Sequence, residues 1–122
     1  MKVTLMMGVC AAGLLLVSAA DAGGIKRIKK EKDFRALVAD KKITIGSGWA
    51  IIKSDGTSVG EFEPGKWKGV WKWSRGYYCT NGTLGGVERG SDCKLVKSDG
   101  NVLVLIDNKG KGERELTYQI EY

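Results

Sequence analysis

Histidine is absent from the 122 residues of this chain. That removes the Ser-His-Asp and Cys-His catalytic arrangements and the usual zinc-ligand sets, all of which rely on an imidazole. Proline occurs once, at Pro64, and cysteine three times, at Cys10, Cys79 and Cys93. No G-x-G-x-x-G follows a strand-like run and no phosphate loop is present, so nothing in the sequence signals a nucleotide or other cofactor. Beyond the first residues, no apolar run approaches the roughly twenty needed to cross a membrane.

The first 22 residues carry the clearest signal that is present. Met1-Lys2 is a short positive start, Val3 to Val17 is uncharged and almost wholly apolar, and Ser18-Ala19-Ala20-Asp21-Ala22 supplies small residues. This order defines a secretory signal peptide, with cleavage expected after Ala22 and Ala20 as the near alternative. Cys10 lies in the apolar core, and Val9 before it does not fit a lipidation site. The expected location is the periplasm or the extracellular space. Cleavage removes Lys2 and Asp21, one charge of each sign, so the net charge stays at +6. Nucleic acid is a poor partner in that compartment whatever the charge. Cys79 and Cys93 remain as an even pair in an oxidising environment and are expected to form a disulfide. Closing that loop stabilises a fold by about 3 kcal/mol when the geometry fits.

The rest is one domain over residues 31–122, preceded by a basic, flexible arm at 23–30. Glu31 to Ala39 forms the one helix, because Phe34, Leu37 and Val38 fall at i, i+3 and i+4 and make one apolar stripe. From Ile43 onward the period changes to two. Trp49–Ile52, Trp67–Trp73, Tyr77–Cys79, Cys93–Lys97, Val102–Ile106 and Arg114–Ile120 are expected strands. Asp55-Gly56 and Asp99-Gly100 sit in hairpin turns. The echo of Ile51–Gly56 in Leu95–Gly100 is read as convergence on one turn chemistry rather than duplication. The glycine-rich stretch 80–92 is expected to be a loop under the disulfide. The fold class is thus mainly β: one N-terminal helix packed on a small antiparallel sheet or barrel of about six to eight strands.

Chemistry-bearing residues are few. Trp67, Trp71 and Trp73 alternate with Lys66, Lys68 and Lys72. Trp71 and Trp73 suit a common inner face, while Lys66, Trp67, Lys68 and Arg75 are the candidates for a contact surface. Lys26, Arg27, Lys29 and Lys30 suit a weak contact with an anionic lipid surface. Glu61, Glu63 and Asp92 do not cluster in a way that implies a two-carboxylate hydrolase. No catalytic, metal-ligating or cofactor-binding residue emerges.

Asp55-Gly56-Thr57, Gly69-Val70-Trp71-Lys72-Trp73, Gly76-Tyr77-Tyr78-Cys79 and Asp92-Cys93-Lys94 together resemble a family of small exported alphaproteobacterial proteins. The helix with Asp33-Phe34 and Leu37-Val38 and the turn Asp107–Gly110 extend the resemblance over most of residues 31–120. It implies no catalytic residues. Some members of that family carry the label dihydrodipicolinate reductase. This chain is too short for that enzyme, lacks its dinucleotide fingerprint and is expected to be exported away from the cofactor. The expectation is an exported, non-enzymatic binding or structural module for an envelope component or protein. The alternatives are an inhibitor of a secreted lytic enzyme and a small carboxylate-dependent hydrolase.

Overall fold

The computed structural model describes residues 24–122. The expected signal peptide, its cleavage site and Cys10 lie outside the described residues. A two-residue strand β1 (Lys26–Arg27) leads into helix α1 (Glu31–Val38). Eight strands follow: β2 (Lys42–Ile45), β3 (Gly48–Ile52), β4 (Thr57–Phe62), β5 (Gly65–Ser74), β6 (Tyr77–Leu84), β7 (Val87–Ser98), β8 (Val102–Ile106) and β9 (Glu115–Ile120). Each pairs antiparallel with the next, and β9 pairs back onto β2 through Ile43↔Ile120 and Thr44↔Gln119. The mainly-β fold with one helix is therefore a closed eight-stranded up-and-down barrel, the arrangement that removes sheet edges by pairing the last strand with the first.

Period-two alternation decides what fills it. On β5, Trp67, Trp71 and Trp73 point inward while Lys66, Lys68, Val70 and Lys72 point out. Ile43, Ala50, Ile52, Trp71, Tyr78, Val96, Leu103, Leu105, Tyr118 and Ile120 form the buried interior. Helix α1 plugs one end. Phe34 and Val38 are fully buried, and the Phe34 ring lies 4.9–5.5 Å from the rings of Trp71, Trp73 and Tyr78. The helix lacks a side-chain N-cap, but Lys41 donates to the Ala36 and Leu37 carbonyls at its C-terminus (3.0 Å each). Trp71 donates its indole N–H to the Lys53 carbonyl at 2.9 Å, so this buried aromatic leaves no unpaired donor.

Two expectations are corrected here. Residues 80–92 are not a loop: β6 and β7 run through them and turn at Gly85-Gly86, both at positive φ. The glycines misled because Gly82 and Gly90 face each other inside the ladder instead of breaking it. Part of the arm read as flexible is also paired, Lys26 with Ser98 and Arg27 with Lys97. The two Asp-Gly turns are as expected and share one device. Asp55 accepts from the Thr57 N–H at 2.9 Å, and Asp99 from the Asn101 N–H at 2.8 Å, which is the side-chain-to-backbone closure that aspartate brings to turns. Cys79 and Cys93 are disulfide-bonded and stand directly opposite each other on β6 and β7. Their positions alternate with the inward-pointing Tyr78, Thr80, Asp92 and Lys94, so the bond lies on the barrel's outer face.

Candidate functional site

At the end away from α1, the barrel opens into a cavity of about 570 Å³. The cavity exists because inward positions there are small. Gly60 faces Trp67, and Gly69 faces Gly82, across the ladders. A Cβ on Gly69 would stand 2.5 Å from the Trp67 ring, and one on Gly82 would stand 2.8 Å from it. The indole therefore lies along the bare backbone of these two glycines and forms one wall instead of filling the lumen. Phe62, Leu105 and Leu116 continue the apolar lining.

Polar groups enter the cavity in two tiers. The deeper tier is made of hydroxyls: Ser58, Tyr78, Thr80 and Tyr118. Ser58 is 2 % exposed and accepts from the Trp67 indole N–H at 2.8 Å. Burial pushes the Tyr78 phenol far above its ordinary range, and burial also pushes Tyr118 up. Both stay protonated and neutral at any physiological pH. The cavity interior thus offers uncharged donors and acceptors.

The outer tier is ionic. Lys94 points inward from β7, its side chain 13 % exposed, and donates to Asp92 and Asp107 at 2.9 Å each. Asp107 also accepts from Arg114 Nε at 2.8 Å, and Asp92 accepts from the Asn108 N–H at 3.2 Å. For Asp107, burial acts to raise the pKa. The bonds from Lys94 and Arg114 outweigh it and hold the carboxyl below its usual value. Arg89 and Glu63 also line the mouth, so three cations and three carboxylates cancel and the rim is polar without a strong net field.

The candidate contact residues separate. Lys66 and Lys68 are exposed on the outer face, Trp67 faces the cavity, and Arg75 sits at the far end of β5 in the turn beside α1. These four do not form one surface. Trp67 shares the odd-numbered parity of Trp71 and Trp73, and that alternation was the available sign that it points inward. Lys94 carried no such sign: a lysine between Cys93 and Leu95 reads as solvated until Asp107 is brought to it from the next turn. Of the three acidic residues singled out, Asp92 joins the rim network, Glu63 lines the mouth, and Glu61 stands opposite Lys66 in the β4–β5 ladder, on the outer face. Among the described residues no group of three or more histidine, cysteine, aspartate or glutamate side chains is placed to hold a metal ion, and no helix is long and apolar enough to cross a membrane. No family model, curated protein or solved structure matches the chain.

Proposed function

We propose that this chain is an exported, non-enzymatic binding module whose barrel cavity takes a small, mainly apolar molecule bearing a neutral hydrogen-bonding group. The observation that carries this reading is the cavity itself, about 570 Å³, closed by α1 at one end and open at the other. That volume is within the range of small-molecule sites, and so is the pattern of apolar walls with a few convergent polar groups. The Trp67 indole offers a flat face for a ring or chain. Ser58, Tyr78 and Tyr118 suit a hydroxyl, carbonyl or amide.

The same geometry argues against a hydrolase. Asp92 and Asp107 are close, since both touch the Lys94 ammonium. A carboxylate pair of that kind needs one group free to donate a proton and the other free to act as base or nucleophile, whereas the Lys94 ammonium engages both at 2.9 Å. The arm cations Lys26, Arg27, Lys29 and Lys30 are proposed as a weak contact with an anionic lipid surface, which would keep the barrel at the envelope.

The test uses N-phenyl-1-naphthylamine, a neutral aromatic amine whose emission rises in apolar surroundings. Saturable binding is expected, with backbone amide shifts confined to residues lining the cavity. Thr80→Phe fills the lumen from β6 and is expected to weaken binding by about tenfold or more, because the ligand loses its apolar contacts. Equal affinity in Thr80→Phe, or shifts confined to the outer face, would overturn the reading.

A further inference from the structure

On the outer face, away from the cavity, the fold brings two cations from separate segments to one aromatic ring and sets a third opposite one of them. Arg27 comes from β1, Lys97 from β7 and Lys109 from the turn after β8. The Arg27 guanidinium carbon lies 4.9 Å from the centre of the Tyr77 ring, and the Lys109 ammonium lies 5.4 Å from it. Lys97 stands directly opposite Arg27 in the β1–β7 ladder, so the two share a face. Gly76 makes the approach possible: a Cβ there would meet the Arg27 guanidinium at 3.2 Å, and its carbonyl accepts from Arg27 at 3.3 Å. Lys109 is presented by a tight turn, closed by Gly110 N–H to the Asp107 carbonyl at 3.1 Å and Lys111 N–H to the Asn108 carbonyl at 2.9 Å.

This gathering is unfavourable as it stands. Like charges directly opposite in an antiparallel ladder repel. A ring quadrupole offsets part of that repulsion, but it does not neutralise charge. Among the described residues the ion pairs use Arg35, Lys94 and Arg114, and none reaches Arg27, Lys97 or Lys109. Asp33 borders the neighbouring shallow dish with Lys26, Arg27, Lys29 and Lys30 without pairing to any of them. Asp99, beside the ladder, is committed to the Asn101 and Val102 N–H groups of its own turn.

We infer that Arg27 and Lys109 at the Tyr77 ring, together with Lys97 opposite Arg27 in the ladder, form a binding site for a phosphate-type oxyanion. Such an anion relieves the Arg27–Lys97 repulsion and accepts charge-assisted hydrogen bonds from a guanidinium and two ammonium groups. It also ties β1 to β7, a pairing only two residues long. This site is distinct from the cavity and does not depend on the cavity reading. It differs from a diffuse arm contact because Lys97 and Lys109 lie outside the arm.

The experiment is an amide-shift titration of the protein with inorganic phosphate, with chloride holding ionic strength constant. Saturable shifts are expected at Arg27, Tyr77, Lys97 and Lys109. Lys109→Gln and Lys97→Gln should each weaken binding about tenfold, the loss of one charge-assisted contact, and neither variant removes a cavity residue. Lys68→Gln, on the outer face of β5, should leave affinity unchanged. Vesicles of phosphatidylcholine with and without phosphatidylglycerol then identify the source. Broadening of the same four signals by the anionic vesicles assigns the phosphate to a lipid headgroup, and no broadening assigns it to a soluble phosphate-bearing ligand. The proposal fails if the shifts are linear and unsaturated, if they spread over Lys66, Lys68 and Lys72, or if Lys68→Gln weakens binding as much as Lys109→Gln.

Discussion

The two ends of the barrel are closed by opposite chemistry. At one end α1 drives Phe34 among Trp71, Trp73 and Tyr78, and the one cation against that packing, the Arg35 guanidinium 4.9 Å from the centre of the Trp71 ring, lies on an aromatic ring and not in an ionic network across the opening. At the other end Asp92, Lys94, Asp107 and Arg114 ring an opening that no α-helix among the described residues covers. Dry packing excludes both water and ligands, so the helix end carries stability. An ionic rim tolerates water, so the open end can admit a molecule without exposing a large apolar patch. A domain this small has a limited core, and concentrating it at one end leaves the other free for binding.

The strongest way to break this comparison is at Phe34. Phe34→Ala removes the central ring of the plug and leaves a hole that Trp71 and Tyr78 cannot fill from fixed strand positions. It should lower unfolding stability by about 3–5 kcal/mol. Denaturant unfolding followed by tryptophan fluorescence measures this. A loss under about 1 kcal/mol would mean that α1 is an accessory and that the barrel is stable without its plug.

Lys94→Met acts at the opposite end and should act less. It leaves Asp92 and Asp107 facing each other without the ammonium, and the expected loss is about 1–3 kcal/mol. The same denaturant measurement sharpens the contrast. If Lys94→Met cost more than Phe34→Ala, the rim and not the plug would be the stabilising end.

The sequence made the plug legible and the rim opaque, for a physical reason. Phe34, Leu37 and Val38 announce a helix face by local spacing, and Trp71 and Trp73 announce an inner strand face in the same way. Asp55 and Asp99 make their turns with neighbours two residues away. Each of these rests on contacts within a few residues. In the rim, Lys94–Asp92 within β7 and Asp107–Arg114 within the β8–β9 turn are local, but the contact that joins them, Lys94 to Asp107, is between separate elements. Lys94 is an inward lysine, tolerated because Asp107 arrives from the β8–β9 turn, and nothing adjacent to it says so. The closing pair Ile43↔Ile120 is likewise set by the barrel and not by either strand alone. Gly69 and Gly82 show the intermediate case. Gly69 falls within the expected strand Trp67–Trp73, while Gly82 looks like a turn residue by composition; both sit in strands, where the Trp67 ring takes the space a Cβ would need.

The smallest effect is the most specific to the rim. Asp107 is held below the ordinary carboxylate range against its own burial, by Lys94 and Arg114. Its folded-state pKa is lower than its unfolded one. The stability it contributes is therefore complete above the ordinary carboxylate pKa and is lost as pH falls through the lowered folded value. Asp55 and Asp99, in turns at the plugged end, are also lowered, but by hydrogen bonds within their own turns, with Thr57 and with the Asn101 and Val102 N–H groups. Lys94→Met separates the two cases. It removes one of the two groups opposing burial at Asp107, so the Asp107 titration midpoint should rise, while those of Asp55 and Asp99 stay where they were. Carboxyl carbon shifts followed from pH 6 downward would read all three at once. Movement of Asp99 together with Asp107 would show that the two ends are electrostatically coupled and would dissolve the division between them. Movement of Asp107 alone places the acid sensitivity of the opening in the contact between Lys94 and Asp107.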